Sequence, residues 1–415
     1  MRIKLFYIHP NNYGNLMMAS AFIQNYRNEC IEKYNEDPEF YMDVLDDDEL
    51  FRVQQSLEGA VKVYREKLFN RKRRGIIGKL SKIFFMPKEI MYNKKSYDAC
   101  IVLGGDCISQ YYSKQIFITD MYRFLKISKK KPVYLLGQTM GPFAGYAITV
   151  VKHCLSFCKI YVRDHNCFQY MQSLFDFKQL YEARDLAFLD IPYQNKPEIV
   201  MKVLNVYVGL NPYITIVPSG ANRQYTTNID DYIGEYVRII NYILTETDYN
   251  VLLLAHVIHV SDSNDKIIIN KILEKLPDFC KERIHIVDHL ILPYEARILI
   301  GNGQLTITGR MHAAVSAINM GVLPICLSYS VKFKGVIGDD FELNNYILQC
   351  RGDKFWKNNY VSSSIINMIN LALNDNPKKE KILSLKRIIQ QRSLSQIQNV
   401  IEELHGGIEK EKRLN

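Results

Sequence analysis

The sequence predicts an α/β protein made of two successive Rossmann-like, doubly wound domains that face a cleft. Three observations predict this fold. Short apolar runs alternate with helical patterns, which is typical of a parallel sheet covered by helices. The alternation stops over 189–204, which includes Pro192 and Pro197, and then starts again. The length of 415 residues also suits two or three domains.

The predicted first domain covers residues 1–195. It opens with a strand over Ile3–Tyr7, a polar loop, and a helix over Leu16–Tyr34. Three later apolar runs end in glycine or in a polar pair and are predicted strands: Ala99–Leu103, Val133–Leu136 and Ile160–Val162.

The predicted second domain covers residues 205–375. Five apolar runs are predicted strands: Ile214–Val217, Val251–Ala255, Ile284–Val287, Leu305–Thr308 and Leu323–Leu327. The intervening predicted helices are Tyr232–Glu246, Asp265–Leu276 and Met311–Met320. Residues 376–415 form a polar helical segment, which we expect to pack back on the first domain.

The composition is that of a globular protein, with 47% hydrophobic and 23% charged residues. It excludes wholesale disorder and small disulfide scaffolds. The longest apolar runs are far shorter than the roughly 18 residues of a membrane span, and the run over Met1–Tyr7 is too short for a signal peptide. Nine scattered cysteines, an odd number, argue against a complete set of disulfides. Cys154 and Cys158 lie one helical turn apart with no second pair at zinc-binding spacing, and we interpret them as buried apolar residues. We therefore expect a cytoplasmic protein without a bound metal.

The positive charge is concentrated in residues 62–95. The whole chain has a net charge of +9, and this segment holds twelve basic residues against two acidic ones, together with several large apolar residues. Such a mixture suits an anionic membrane surface, which would make the protein peripheral on the inner face of the membrane. The alternative is a solvated helical excursion whose apolar side packs on its own domain. No recognition motif for nucleic acid accompanies the charge.

The strongest candidate for chemistry is the turn Gly309–His312 between a predicted strand and a helix. Arg310 offers a planar fork for phosphate or carboxylate, and His312 lies in the first helical turn, where it can transfer a proton near neutral pH. The helix N-terminus adds backbone donors for an anion. The alternative is a helix cap with a buried histidine.

Weaker candidates follow other predicted strands. Ser219 and Gly220 can bind an anion through the backbone, with Arg223 adding charge; the alternative is a turn with a solvated arginine. Gln138 supplies neutral hydrogen bonds in a glycine-containing loop that is equally well explained as structural. His256 and His259 end a strand without the carboxylate spacing of a metal site.

Six motifs taken together resemble the polysaccharide pyruvyl transferase family. They occur in the order Asn12–Tyr13–Gly14–Asn15, Gly104–Gly105–Asp106, Gly137–Gln138–Thr139–Met140–Gly141–Pro142–Phe143, Val162–Arg163–Asp164, Asp185–Leu186–Ala187–Phe188 and Gly309–Arg310–Met311–His312–Ala313. The resemblance spans residues 5 to 345, and Tyr329–Lys332 also looks like a family segment. The aspartate of the Gly104–Asp106 loop and the basic segment 62–95 depart from the family pattern.

The resemblance implies a fold similar to the GT-B glycosyltransferases. It implies transfer of pyruvate from phosphoenolpyruvate to two hydroxyls of a sugar, free or lipid-linked, as a cyclic ketal in exopolysaccharide or other cell-surface glycan biosynthesis. It assigns donor binding and catalysis to Arg310 and His312. No cofactor is implied, because phosphoenolpyruvate itself is the donor substrate.

From the chemistry of the residues, His312 is our candidate acid, and Arg223 and Lys332 join Arg310 as candidates for binding the anionic donor. The general base stays open between Asp106 and Asp164, although Asp164 suits a helix cap. The remaining predicted residues lie on the acceptor side or in the cleft: Asn15, Gly105, Asp106, Gln138 and Arg163.

Two other functions fit the sequence less well. A GT-B glycosyltransferase using a sugar nucleotide would have the same architecture, because a fold does not fix a chemistry. A non-catalytic, membrane-associated binding protein would leave the polar residues at the strand ends without a purpose.

Overall fold

The structure of the protein is a computed structural model that describes residues 1–66, 90–110, 114–258 and 263–414. These residues form two compact α/β units, which confirms the predicted fold class. The first unit comprises Met1–Pro10, Met18–Leu189 and the chain from Gln390 onward. The second comprises Asn11–Met17 and Asp190–Ile389.

The first unit contains a sheet of seven parallel strands in the order β3-β2-β1-β4-β5-β6-β7. The strands are β1 (Arg2–Phe6), β2 (Glu39–Met42), β3 (Lys62–Arg65), β4 (Ala99–Gly105), β5 (Val133–Gln138), β6 (Lys159–Val162) and β7 (Leu180–Glu182). The central strands β4 and β5 are almost wholly buried, as expected for strands covered on both faces.

The helices of the first unit connect these strands. They are α1 (Tyr13–Tyr34), which begins in the second unit, α2 (Asp47–Gln55), α3 (described over residues 90–96), α4 (Lys114–Ser128), α5 (Tyr146–Cys154) and α6 (His165–Leu174). Strand–helix–strand connections of this kind keep neighbouring strands parallel.

The second unit contains a sheet of six parallel strands in the order β10-β9-β8-β11-β12-β13. The strands are β8 (Tyr213–Val217), β9 (Asn250–Leu254), β10 (Ile284–Val287), β11 (Thr306–Thr308), β12 (Pro324–Ser328) and β13 (Ile347–Gln349). The helices are α7 (Pro197–Tyr207), α8 (Ile229–Glu246), α9 (Asp265–Lys275), α10 (Pro293–Gly301), α11 (Met311–Asn319), α12 (Tyr360–Asn374) and the first part of α13 (Asn376–Leu414), which continues into the first unit at Gln390.

The units divide the chain differently from the predicted domains 1–195, 205–375 and 376–415. Residues 11–17 lie in the second unit, and the helix α7 occupies part of the region that was predicted to be a break. The part of α13 from Gln390 onward belongs to the first unit, within which Ser393 and Gln396 donate hydrogen bonds to the carbonyl oxygens of Asp185 and Arg184.

The basic segment 62–95 is described only at its two ends, by β3 and α3; residues 67–89 lie outside the described residues. The two alternatives for this segment therefore stay predictions. Within the described ranges, no helix is long and apolar enough to cross a membrane. All nine cysteines are free thiols, and all but the partly buried Cys107 are buried. The interpretation of Cys154 and Cys158 as buried residues is confirmed.

Candidate active site

The strand order of the second sheet reverses between β8 and β11, and in open α/β sheets ligands bind beside the carboxyl ends of the strands at such a point. Thr308 at the end of β11 pairs with Val217 at the end of β8. The backbone N–H of Gly309 donates to the carbonyl of Val217 at 3.1 Å. This pairing brings the loop after β8 and the Gly309–His312 turn side by side.

Gly309 is required by close packing beneath this turn. A Cβ on Gly309 would lie 2.8 Å from the hydroxyl oxygen of Tyr225 and 3.1 Å from the Cβ of Ser219. The buried Tyr225 hydroxyl lies 2.9 Å from the carbonyl oxygen of Gly309 and 3.0 Å from that of Leu327, and can donate to either. The Gly309–His312 turn therefore packs directly on the buried side chain of Tyr225.

Arg310 is the N-cap residue of α11, and its guanidinium is held by Asp265. Arg310 Nη2 donates to Asp265 Oδ1 at 2.5 Å and to the carbonyl of Ser263 at 2.8 Å, and Nε lies 3.1 Å from Asp265 Oδ1. Burial by itself would lower the pKa of Arg310, but the Asp265 carboxylate outweighs burial and raises it. The side chain, 17% exposed, is therefore a fixed positive charge.

His312 lies in the first turn of α11, next to Gly14 of the sequence motif Asn12–Asn15. A Cβ on Gly14 would lie 2.3 Å from Nδ1 and 2.4 Å from Cγ of His312. Real Cβ atoms do not approach other atoms so closely, so only glycine at position 14 lets the imidazole occupy this place. The partly buried His312 is thus supported by backbone from the start of α1.

The motif Asn12–Asn15 is fixed in the second unit by backbone pairing with the chain that follows β9. Asn12 forms an antiparallel bridge with Val257, and the N–H of Tyr13 donates to the carbonyl of His256 at 3.2 Å. The buried Tyr13 hydroxyl lies 2.9 Å from the N–H of Ile291. Asn15, predicted on the acceptor side, therefore lies in the same unit as Arg310 and His312.

His256 is a second histidine at this site, fully buried with its ring edge-to-face with Tyr13 at 5.4 Å between centroids. Burial lowers the pKa of His256 well below its usual value, and the neighbouring His312 and Arg310 add to this effect. Its imidazole is therefore neutral at pH 7. Within the part of the chain that the structure describes, its Nε2 has no hydrogen-bond partner.

Ser219 and Gly220 use the backbone donors that were expected to bind an anion. The Ser219 N–H lies 3.2 Å from the hydroxyl oxygen of Tyr232, and the Gly220 N–H donates to Asp265 Oδ1 at 2.6 Å. Both N–H groups therefore already have partners inside the protein, and the predicted contact of Ser219 and Gly220 with the pyruvyl donor stays a prediction. Ser219 and Gly220 connect the loop after β8 to Tyr232 and to Asp265, and Asp265 in turn binds Arg310.

Arg223 and Lys332 lie elsewhere in the second unit. Arg223 is exposed, in the short 3₁₀ helix Asn222–Gln224 that follows the β8 loop. Lys332 Nζ donates to the hydroxyl of Tyr329 at 3.0 Å, and the Tyr329 ring packs edge-to-face on Tyr225 beneath Gly309. Their predicted contact with the donor stays a prediction.

The predicted residues of the first unit are mostly engaged within its sheet. Gly105, at φ +95°, ends β4 and accepts a hydrogen bond from the N–H of Thr139, with the partly buried Asp106 following it. Gln138 is fully buried and its Nε2 donates to the carbonyls of Val102 and Leu136 at 3.0 and 3.2 Å. The amide nitrogen is therefore used within the sheet, by Val102 of β4 and by Leu136 of β5 itself, whereas Oε1 has no hydrogen-bond partner among the described residues. The predicted contact of Gln138 with a ligand stays a prediction.

Arg163 forms a buried ion pair at the end of β6. Its Nη1 lies 2.7 Å from Asp185 Oδ2 and its Nε 2.7 Å from the hydroxyl of Thr139, with side-chain exposures of 1% for Arg163 and 0% for Asp185. Burial opposes the charge, but Asp185 and Asp106 raise the pKa of Arg163. Asp164 accepts a hydrogen bond from the Cys167 N–H at 2.8 Å, which confirms the helix-cap alternative.

The structure therefore brings Gly309, Arg310, His312 and the Asn12–Asn15 motif together in one unit. Sequence reasoning missed Asp265, because the first residue of a predicted helix looked like an ordinary charge at a helix start. It also set His256 aside, since only a metal role was considered. The sequence did contain a signal for both residues, because His256 and Asp265 follow the same buried strand, β9.

The family model described as polysaccharide pyruvyl transferase matches residues 12–331 of the chain. The amylovoran biosynthesis protein AmsJ of Erwinia amylovora is 22% identical over 261 residues, which is 59% of this chain and 59% of the relative. The chain thus spans about three fifths of the length of that curated relative.

Solved structures of low sequence identity share the fold. The UDP-GlcNAc 2-epimerase of Neisseria meningitidis bound to UDP-GlcNAc has a TM-score of 0.63 at 9% identity, over 97% of this chain and 100% of that one. ADP-heptose LPS heptosyltransferase II of E. coli has a TM-score of 0.50 at 14% identity, over 90% of this chain and 98% of that one. These similarities show a GT-B-like fold and leave the reaction open.

Proposed function

This chain belongs to the polysaccharide pyruvyl transferase family, and from that premise we propose that it transfers pyruvate from phosphoenolpyruvate to two hydroxyls of a sugar, forming a cyclic ketal. Membership of the family supports a transferase role in polysaccharide biosynthesis and implies a polysaccharide acceptor. Our proposal adds the identity of the donor, the ketal product and the residues that act on them.

The observation that carries the proposal is the fixed Arg310 charge beside His312 at the N-terminus of α11. Phosphoenolpyruvate is a small anion with a carboxylate and a phosphate. A guanidinium and the N–H groups of a helix N-terminus both stabilise such groups. A proton donor next to this anion site is the further requirement of the chemistry, and His312 provides it.

The reaction begins with transfer of a proton from His312 to the methylene carbon of phosphoenolpyruvate. The central carbon becomes electrophilic, and a sugar hydroxyl adds to it and loses its proton. The bond between this carbon and the phosphate oxygen then breaks, and inorganic phosphate leaves. A second hydroxyl adds and loses its proton, which closes the ketal. The methylene carbon is reduced when it gains a hydrogen and the central carbon is oxidised by the same amount when it gains a second bond to oxygen, so the transfer requires no redox cofactor.

Ligand-induced stabilisation tests the donor. Phosphoenolpyruvate at about 100 times its dissociation constant should raise the free energy of unfolding by about 2.7 kcal/mol. UDP and GDP at the same concentration should leave the melting temperature unchanged. A rise with UDP or GDP and none with phosphoenolpyruvate would instead support a GT-B glycosyltransferase that uses a sugar nucleotide, the alternative that the shared fold keeps open.

We also propose that residues 62–95 hold the enzyme on an anionic membrane surface, where a lipid-linked acceptor would be found. The support is the excess of basic residues interleaved with phenylalanine and isoleucine. Replacing the four basic residues 71–74 by glutamine should lower vesicle affinity by about two orders of magnitude at low salt, at about 1 kcal/mol for each charge.

Sedimentation with vesicles containing anionic lipid measures this effect. A matched control replaces Lys129, Lys130 and Lys131, a basic run outside the segment, and should leave vesicle affinity nearly unchanged. Turnover of a soluble acceptor should be retained by both variants. Absence of vesicle binding by the native protein would support the alternative, in which the segment packs on its own domain.

A further inference from the structure

One fully buried carboxylate, that of Asp265, connects the loops that follow β8, β9 and β11. Its Oδ1 accepts from the Gly220 N–H at 2.6 Å, and its Oδ2 accepts from the N–H groups of His256 and Val257 at 3.0 and 2.8 Å. Arg310 donates to the same carboxylate through Nε and Nη2. The loops that follow three strands of the sheet thus donate hydrogen bonds to one side chain, that of Asp265.

A carboxylate with no exposure is stable only when donors replace the water that it has lost. The three backbone donors would be sufficient to satisfy much of that need in a purely structural role. The bond to Arg310 adds something different, because Arg310 remains 17% exposed while Asp265 is wholly covered. The pair therefore has one partner inside the protein and one that reaches the surface of the site.

The hydrogen bonds also determine which part of the guanidinium is left for a ligand. Both hydrogens of Nη2 have acceptors, in Asp265 and the carbonyl of Ser263, and the Nε–H faces Asp265. Of the five N–H donors of an arginine, the two on Nη1 remain. Among the described residues, Nη1 has no partner.

We propose that Asp265 is a positioning residue, which fixes the guanidinium of Arg310 so that its Nη1 binds an oxyanion of the donor. This proposal rests on the proposed function, since it specifies how the same site holds phosphoenolpyruvate. It also changes the expectation from the sequence. Arg310 uses Nε and Nη2, the pair of nitrogens that could bind an anion in bidentate fashion, to bind Asp265. Phosphoenolpyruvate would then be bound by the two N–H groups of Nη1 alone.

The test is a double-mutant cycle with Asp265→Asn, Arg310→Lys and the variant carrying both, each assayed for phosphate release from phosphoenolpyruvate. Asp265→Asn keeps the shape of the side chain and removes its charge. We expect KM for phosphoenolpyruvate to rise about tenfold or more, the size of one lost charge-assisted hydrogen bond, with a smaller change in kcat. Because Asp265 acts through Arg310, the double variant should have nearly the KM of Arg310→Lys alone.

Glu235→Gln is the matched control. Glu235 is another fully buried carboxylate of the second unit, and it accepts from Arg238 Nη2 at 2.6 Å and from the Ser362 N–H at 2.5 Å. This variant should lose thermal stability and keep the native KM. Should Asp265→Asn not fold, Asp265→Ser, which retains an acceptor for the backbone donors, takes its place in the cycle.

The outcomes separate the two levels of the proposal. A native KM in Asp265→Asn would overturn the positioning role while leaving the proposed function standing. So would a double variant in which the fold-increases in KM of the two single variants multiply, as expected for independent residues. A native protein that turns over no phosphoenolpyruvate with any acceptor would overturn the proposed function, and the role of Asp265 with it.

Discussion

Replacing His312 by alanine should lower turnover of phosphoenolpyruvate by about 100-fold or more, the usual contribution of a positioned proton donor. The fold should be retained, because alanine favours the helix α11 and His312 is only partly buried. His312→Gln should show a similar loss, since glutamine donates a hydrogen bond but transfers no proton. Phosphate release and far-UV circular dichroism measure the two effects.

His153→Ala is the control for this substitution, because His153 is an exposed histidine in the last turn of α5 in the first unit. It should retain native turnover. Unchanged phosphate release by His312→Ala would remove this residue from the mechanism and leave it as part of a helix start.

Replacing Gly14 by alanine should cause a loss of turnover that approaches that of His312→Ala. The added methyl group would lie within 2.5 Å of three atoms of the His312 side chain. The backbone cannot easily move away, since the N–H of the neighbouring Tyr13 is bonded to His256. The imidazole must therefore shift, and a displacement of about 1 Å is enough to cost about 100-fold in rate.

Gly234→Ala provides a matched control for this prediction. Gly234 also lies in a helix of the second unit, and its added Cβ would come no closer than 3.6 Å to any neighbouring atom. The variant should be as active as the native protein and slightly more stable, by up to about 1 kcal/mol from helix propensity. If Gly14→Ala is equally active, the contact between Gly14 and His312 has no role in turnover.

The central strands of both sheets were predictable from local sequence. The predicted bounds of Val133–Leu136, Ile214–Val217 and Val251–Ala255 lie within two residues of β5, β8 and β9. These strands are short, largely apolar and bounded by polar or turn residues, so their sequence alone carries the signal. The strands β2, β3, β7 and β13 were not predicted, because each has only three or four residues with polar side chains among them.

The helix α7 was missed for a different reason. Pro192 and Pro197 were taken as a break between domains, but Pro197 is the first residue of α7. Proline is favourable at that position because its fixed φ suits the helix and its missing N–H has no partner there in any case. The same residue therefore marks the start of a helix as readily as the end of a domain.

The candidate site was predictable where its residues are neighbours in sequence. Gly309, Arg310 and His312 stand in one turn, so their proximity follows from the strand and helix around them. The contact of Gly14 with His312 and the ion pair of Asp265 with Arg310 join distant parts of the chain. Such contacts depend on the order of strands in the sheet, which local patterns do not determine.

The most direct test of the proposed reaction is to incubate the native protein with phosphoenolpyruvate and a panel of sugar acceptors, and to quantify phosphate and product together. We expect phosphate and modified sugar in equal amounts, only when an acceptor is present. The sugar should gain the mass of one pyruvic acid less one water, as a ketal requires. Extension of an acceptor from a sugar nucleotide, with no phosphate released from phosphoenolpyruvate, would contradict the proposed function.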